Sequence, residues 1–212
     1  ISSLSRPDNF HDTLAKSTSE GLLLEGQNVL IGAVLNASLK GAAATSTAVK
    51  EFFASNGAAI GDDVATRIAL NFGKDGDRFT AVAEKMSAAK KSNWFDADGK
   101  ILWPPSNGVV PGTEFQTILP VGTRLDRYGP IGKDTDFVAP AGTPLGQRAL
   151  PPGSETRPLV RLEVIKPLPV EQSNVMPWFG QPGMGIQYQT TTGSTGLSIM
   201  DLIQMGYFKA IK

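Results

Sequence analysis

The positions of the prolines constrain this chain more than any other feature of its sequence. Of the 15 prolines, 14 lie after Asn93, and none lies between about Ala15 and Lys91. Proline has no backbone N–H and interrupts helices, whereas alanine, which is abundant before Lys91, favours them. The sequence therefore predicts a helical segment over residues 1–92 and a differently built segment over residues 93–212.

Three stretches of the first segment carry helix signals. One helix is predicted over TAVKEFFASNG, which follows a Ser/Thr run and ends in an Asn before Gly57. A second is predicted over GDDVATRIALNFG, with two aspartates at its start and Gly73 past its end. A third, GDRFTAVAEKMSAAKK, places Phe79, Val82 and Met86 on one apolar face. We expect these faces to form the core of a small helical bundle or cap.

The second segment contains short apolar runs that are separated by Gly and Pro residues. TEFQTIL, DFVAP and PLVRLEVIK alternate or are β-branched, so they are predicted to be short strands. The closing stretch LSIMDLIQMGYFKAI has a helix-compatible pattern that includes Leu197, Met200 and Tyr207, with Gly206 near its end. The predicted fold class is α+β, built on a small sheet.

Composition excludes several kinds of function. Lys plus Arg equals Asp plus Glu at 20 each, so no overall field attracts nucleic acid or an anionic membrane. The chain has no cysteine and one histidine, His11, which excludes disulfides, thiolate nucleophiles and multi-histidine metal centres. The most apolar window, Asn28–Leu35, is far shorter than the roughly 20 residues that span a bilayer, and we interpret it as core. The start, without Met or a leader pattern, indicates a fragment or a processed product.

Arginines in the second segment are candidate anion ligands. Arg127 ends a strand-like run beside a glycine-containing loop, where a guanidinium can present a bidentate fork to a phosphate or carboxylate. The alternative is a surface arginine paired with Asp126 or Asp134. Arg148, before a double proline, is more typical of a structural residue when it is considered alone.

An irregular stretch, PWFGQPGMGIQY, carries two amides among glycines and prolines. Gln181 and Gln187 cannot act as general bases, but a glutamine can orient a water or hold a substrate hydroxyl. Trp178, Phe179 and Tyr188 can stack on a flat ring or can be core aromatics.

The stretch WFDADGK has two aspartates but not the other ligands of a calcium loop, so an Asx-type turn is predicted and no metal site is expected. P-loop, zincin and G-x-S-x-G motifs are absent from the sequence.

The motifs of the second segment, taken in order, resemble one known family. The succession WPPSNG, LPVGTRLDRYG, FVAPAGTP, RALPPGSE, EVIKPLPV and PWFGQPGMGIQY, then a final MGYFKAI, is similar to the tuberculosis necrotizing toxin (TNT) domain family. That family comprises NAD(+) glycohydrolases of bacterial secreted toxins and of some fungal surface enzymes. The resemblance extends roughly from Asn93 to Lys212 and leaves the helical segment outside.

The resemblance implies hydrolysis of the nicotinamide–ribose bond of NAD(+), with NADP(+) as a further candidate substrate, on a compact mixed β-sheet distantly akin to ADP-ribosylating toxins. The family's D-R-[FY]-G arginine is Arg127 here, and its G-G-G-x-Q-Y glutamine is Gln187, with Met184 in place of the middle glycine. These two residues are the expected catalytic pair. The expected substrate-binding residues are Tyr128, Gly129, Phe137, Arg148, Trp178 and Gln181.

One family feature is missing. Some bacterial members use a histidine in the strand that begins around PLVRLEVIK, where this chain has Val160 or a neighbour. The expected mechanism does not need it, because nicotinamide leaves as a neutral ring. Arg127 is expected to hold the diphosphate and Gln187 a ribose hydroxyl or the attacking water, while the glycine-rich loop lets backbone approach the nucleotide.

Two other functions stay open from sequence: ADP-ribosyl transfer to a protein, for which no E-x-E motif is present, and a catalytically inactive nucleotide- or protein-binding module. For the glycohydrolase, no cofactor is expected, since NAD(+) is the substrate. A cognate immunity protein is an expected partner. The protein is expected to be secreted, or delivered by a secretion system, and to act in the cytoplasm of a target cell.

Overall fold

A computed structural model describes residues 42–192 and 196–212; within these ranges, the side chains of residues 42–45, 71–81 and 83 are not described. The first part is a helical hairpin of α1 (Ala42–Ser55) and α2 (Asp62–Lys91). Aspartates begin α2 and lysines end it, an arrangement that the helix dipole favours at both ends. Of the predicted core residues, Val82 and Met86 are buried. The side chain of Phe79, His11 and the window 28–35 lie outside the described residues.

Two predicted helix boundaries are wrong. Helix α2 continues for 30 residues and does not end before Gly73, and α1 begins at Ala42, before the Ser/Thr run and earlier than predicted. A glycine inside a helix costs only about 1 kcal/mol. That cost is offset here because Ile68 and Met86, on either side of Gly73, are buried in the same core.

A seven-stranded sheet forms the second part. The strands lie in the order β1-β5-β6-β3-β2-β4-β7, and every pairing among the described residues is antiparallel. Their bounds are Phe115–Leu119, Arg124–Tyr128, Phe137–Pro140, Leu159–Val164, Leu168–Asn174, Ile186–Gln189 and Phe208–Ile211, for β1 to β7.

The predicted α+β class is confirmed, and so are the three predicted strand stretches. The expected mixed sheet is wrong, since no described pair is parallel. Parallel pairs usually need a crossover helix of several turns. In the described part of the chain, the helices between β1 and β7 are no longer than the six residues of Ile199–Gln204.

Two apolar cores stabilise the fold. One lies on the sheet and contains Leu125, Leu162 and Phe208. The other joins the helical hairpin to residues of the second segment, among them Trp94 and Trp178, whose ring centroids are 5.4 Å apart. The hairpin is therefore packed on the irregular stretch near the C-terminus, and the division of the chain at residues 92 and 93 stays a prediction.

The C-terminal stretch differs from its prediction as a single helix. Only α4 (Ile199–Gln204) is helical, after a short α3 (Leu145–Arg148) earlier in the chain. A capping box of Ser198 and Asp201 begins α4. After Gly206, at φ 69°, the chain continues as β7, which pairs with β4 and buries Phe208. The local sequence pattern is compatible with a helix after Gly206. We attribute the strand conformation there to the burial of Phe208 on the sheet.

Residues 177–185, here named the glycine loop, pack on the backbone next to α3. Gly183 N–H donates to the carbonyl of Gly146 and Gly185 N–H donates to that of Gln147, each at 3.0 Å. A Cβ at position 185 would lie 2.6 Å from the Gln147 oxygen. These two glycines thus allow two segments of the protein to pack closely together. This packing, and not the expected approach of backbone to a nucleotide, accounts for glycine at these positions.

Replacement of Gly183 with Ala tests this packing. A Cβ at 183 would lie 2.7 Å from both Pro177 N and Val175 O, whereas Gly180 has a similar positive φ and nothing within 4 Å. We expect Gly180→Ala to cost about 1 kcal/mol from the left-handed backbone alone, and Gly183→Ala about 1–3 kcal/mol more. Urea unfolding of the two variants measures the difference. Equal midpoints would contradict the packing.

Candidate active-site cleft

A cleft of about 110 Å³ opens over the adjacent strands β2, β3 and β6. Side chains from the ends of these strands and from the α3 region surround it. It is lined by Asp126, Arg127, Tyr128, Phe137, Val138, Ala139, Arg148, Leu150, Val175, Ile186 and Gln187. Five of the eight predicted site residues therefore lie in one cleft, although they are far apart in the sequence.

Arg127 lies partly buried at the end of β2. Its Nη1 donates to the carbonyl of Phe137 at 3.2 Å, and its Nε is buried with no hydrogen-bond partner among the described residues. Burial lowers the pKa of Arg127; the Asp136 carboxylate opposes this effect and the Arg157 cation adds to it. A guanidinium stays protonated in such surroundings, so Arg127 brings a poorly neutralised positive charge to the cleft.

Asp136 is held near Arg127 by other side chains. Its Oδ2 accepts a hydrogen bond from Gln189 Nε2 at 2.8 Å and another from Thr191 Oγ1 at 2.5 Å. These bonds fix the carboxylate at a distance from Arg127 at which it acts through space and not by contact. The interpretation of Arg127 as a partner of Asp126 or Asp134 receives no support, since no such ion pair joins described residues.

Asp126 pairs instead with Arg148, and both side chains are buried. Arg148 Nη2 contacts Asp126 Oδ1, Arg148 Nε donates to the Thr143 carbonyl at 2.8 Å, and Gly142 N–H donates to Asp126 Oδ2 at 2.9 Å. The Arg148 guanidinium also lies 5.4 Å from the centre of the Tyr128 ring. Arg148 therefore forms the wall of the cleft with its donors turned to protein acceptors, and its predicted contact with substrate stays a prediction.

Gln187 is partly buried on β6, opposite Ser173 on β5. Its Nε2 donates to Ser173 Oγ at 3.2 Å. Because this bond uses the amide nitrogen, the oxygen is the atom left to face a ligand, as an acceptor. Ser173 is buried and was not identified from sequence; its only signal was alternation along EQSN, which turns it to the same side as Val175.

The aromatic predictions divide between two places. Phe137 and Tyr128 line the cleft, whereas Trp178 is 2% exposed in the core under the helical hairpin. Its Nε1 donates to the Leu102 carbonyl at 2.8 Å. Gln181 lies beside Trp178 in a separate cavity that faces α2. Trp178 and Gln181 are thus not brought together with the other predicted residues.

Gly129 is not among the lining residues; it lies just after β2 and follows the lining residues Arg127 and Tyr128 in the chain. Its φ of 96° suits glycine, and its N–H donates to the Pro158 carbonyl at 2.9 Å. Val160, at the place of the family histidine, lies opposite Arg127 in the register of β2 and β4. It packs against the sheet core and brings no titratable group there.

The WFDADGK stretch forms a turn around Asp96. Asp96 Oδ1 accepts hydrogen bonds from the backbone of Asp98 and Lys100, which confirms the predicted Asx-type turn. Across residues 42–192 and 196–212, no three carboxylate, histidine or cysteine groups gather as a metal site. No described helix combines the length and the apolar character needed to cross a membrane.

The buried pair can be tested by removing its cation. Arg148→Met leaves the Asp126 charge buried and unpaired, so we expect a loss of about 3–5 kcal/mol in the free energy of unfolding. Arg124→Met is the matched control, because Arg124 is exposed and 3.9 Å from Glu163; its expected cost is below about 1 kcal/mol. Chemical denaturation gives both values. Similar stability of the two variants would contradict a structural role for the pair.

A family model agrees with the sequence motifs. Residues 118–211 match the model described as Tuberculosis necrotizing toxin. The resemblance predicted from the motifs is confirmed over this range, which contains Arg127, Gln187 and most of the cleft.

One curated relative is the conidial surface nicotinamide adenine dinucleotide glycohydrolase nadA of Aspergillus fumigatus. It is 36% identical over 126 residues, which cover 54% of this chain and 51% of the relative. The chain thus spans about half the length of the curated relative that it matches.

Two solved structures are also similar. Tuberculosis necrotizing toxin complexed with its immunity factor IFT is 25% identical with a TM-score of 0.43, covering 61% of this chain and 81% of that chain. Tse6 in complex with Tsi6 is 15% identical with a TM-score of 0.34, covering 62% and 95%.

Proposed function

We propose that the segment after residue 92 is an NAD(+) glycohydrolase. The observation that carries the proposal is the meeting of Arg127, Gln187, Phe137 and Tyr128 in one cleft inside the family-matching range. The named activity of the fungal relative, a nicotinamide adenine dinucleotide glycohydrolase, supports the same reaction.

The reaction breaks the bond between ribose C1′ and the nicotinamide nitrogen. The bonding electron pair leaves with nicotinamide, which becomes neutral, and C1′ passes through an oxocarbenium-like transition state. A water oxygen then bonds to C1′ and loses a proton to solvent, which gives ADP-ribose. Because the leaving group needs no proton, the valine at position 160 is compatible with turnover.

Arg127 is the proposed anchor for the diphosphate of NAD(+). A guanidinium forms charge-assisted bonds to phosphate oxygens, and such bonds are strong where water is partly excluded. Burial is the main cause of the lowered pKa of Arg127, because it disfavours the charged guanidinium. A bound anion would stabilise that charge. Binding energy from the diphosphate can thus orient the ribose over the sheet.

Gln187 is the proposed ligand of the reacting ribose. With its nitrogen on Ser173, its oxygen can accept a hydrogen bond from a ribose hydroxyl or from the attacking water. Phe137 and Tyr128 supply aromatic surface for the nicotinamide ring. ADP-ribosyl transfer to a protein usually needs a glutamate beside the acceptor, and Glu155, Glu163 and Glu171 do not line the cleft.

The biological setting is part of the proposal. An enzyme that depletes NAD(+) would harm the cell that makes it, so we propose a cognate immunity protein that covers the cleft. We also propose that the domain acts after secretion or delivery, in the cytoplasm of a target cell, and that it needs no cofactor. The helical hairpin packs on the glycine loop and would accompany the domain as a cap.

Nicotinamide release from NAD(+) by the whole chain tests the proposal. We expect Arg127→Ala to lower kcat/KM about a hundredfold or more, and Arg127→Lys to restore little, because lysine lacks the planar fork. Gln116→Ala, on the exposed edge strand β1, is the control and should be unchanged.

Two outcomes would overturn the proposal. Full turnover by Arg127→Ala would remove the arginine from the mechanism. Tight NAD(+) binding by the parent without nicotinamide release would indicate the binding module instead of the enzyme.

Ser173 and Gln187 can be compared in a double-mutant cycle. Ser173→Ala frees the Gln187 amide to rotate, so we expect kcat to fall about two- to tenfold, with KM little changed. In a Gln187→Ala background the same change should have no further effect. Additive losses would mean that Ser173 acts through the fold and not through Gln187.

A further inference from the structure

A second arginine, Arg157, lies near Arg127 and next to Gly129. A Cβ placed on Gly129 would have two side-chain atoms within 4 Å, Arg157 Cδ at 3.7 Å and Arg127 Nη2 at 3.9 Å. The two arginine side chains therefore flank the space that a side chain at position 129 would occupy. The bond from Gly129 N–H to the Pro158 carbonyl fixes the Arg157 segment against the end of β2.

This arrangement leaves positive charge without a close counterion. Arg157 is exposed, and no carboxylate among the described residues lies within 4 Å of it or of Arg127. Asp136 acts on Arg127 through space and has its Oδ2 occupied by Gln189 and Thr191. Two neighbouring guanidinium groups repel each other unless an anion lies between or across them.

We propose that Arg157 is a second phosphate-binding residue that makes the cleft selective for the diphosphate of a dinucleotide. The inference rests on the proposed function, in which Arg127 holds the same diphosphate. Arg127 is partly buried and lines the cleft with Phe137 and Tyr128, the aromatic surface proposed for nicotinamide, whereas Arg157 is exposed and is not among the lining residues. Each arginine then binds one phosphoryl group, and the outer one belongs to the adenosine half.

Glycine at position 129 leaves space next to both arginine side chains. A larger side chain there would stand between the two arginines, and its backbone φ of 96° would be strained in any residue with a Cβ. The prediction that Gly129 takes part in substrate binding thereby gains a physical reason: it keeps the space between the arginines open.

Substrates with one or two phosphates separate this role from a general effect on the cleft. Arg157→Ala should raise KM for NAD(+) about tenfold with kcat within about twofold, because a charge-assisted bond remote from C1′ is lost. For nicotinamide mononucleotide, whose single phosphate lies at Arg127, KM should be unchanged. Arg157→Lys should lie between, and Arg161→Ala, an exposed arginine on β4, should match the parent.

The inference and the proposed function can fail separately. If the parent releases nicotinamide but Arg157→Ala has the parental KM for NAD(+), or raises KM equally for the mononucleotide, the inference alone is overturned. If the parent releases none, calorimetric binding of ADP-ribose decides. A Kd about tenfold weaker in Arg157→Ala than in Arg161→Ala sustains the inference, and equal Kd values overturn it.

Discussion

The buried contact between Asp126 and Arg148 is the interaction on which the cleft depends. It joins strand β2 to the segment that begins at Gly142, through hydrogen bonds from both sides of the Asp126 carboxylate. Two buried charges cost several kcal/mol to desolvate, and only a fully bonded geometry offsets that cost. Arg148 meets this condition with the Thr143 carbonyl as a further acceptor. The pair thereby fixes the wall next to Arg127 at a defined position.

The glycine loop connects the segment that carries Arg148 to strand β6 on the other side of the cleft. The same segment that carries Arg148 accepts hydrogen bonds from Gly183 and Gly185, just before β6. Gln187 follows on β6, so its position is linked through backbone contacts to the ion pair on the other side. On its far side the loop bears Trp178, which is buried under the helical hairpin. The loop therefore contacts both the helical hairpin and the segment that carries Arg148.

Sequence patterns identified what local chemistry determines. Gly and Pro punctuation predicted β1, β3 and β4, and the motifs identified Arg127, Gln187 and Phe137, which share the cleft. Sequence patterns did not predict features that depend on tertiary packing. The local sequence around Trp178 is compatible with a ring-binding aromatic, but Trp178 is buried against Trp94, which is distant in the sequence. The alternative that paired Arg127 with its neighbour Asp126 overlooked that successive side chains on a strand point to opposite faces. Ser173 has only the alternation of its strand as a signal, and Arg157 has none.

Three neighbouring arginines, Arg127, Arg148 and Arg157, differ in which groups neutralise their charge, and this difference supports different proposed roles for them. Arg148 has its charge paired and its donors bonded, which suits a wall that must not move. Arg127 keeps a buried Nε without a described partner, and Arg157 adds a second charge nearby. An unneutralised cation in a partly desolvated place lowers stability, so its persistence is best explained by a ligand that supplies the missing anion. In the proposed reaction a histidine is not required at such a site, because nicotinamide would leave as a neutral ring that needs no proton.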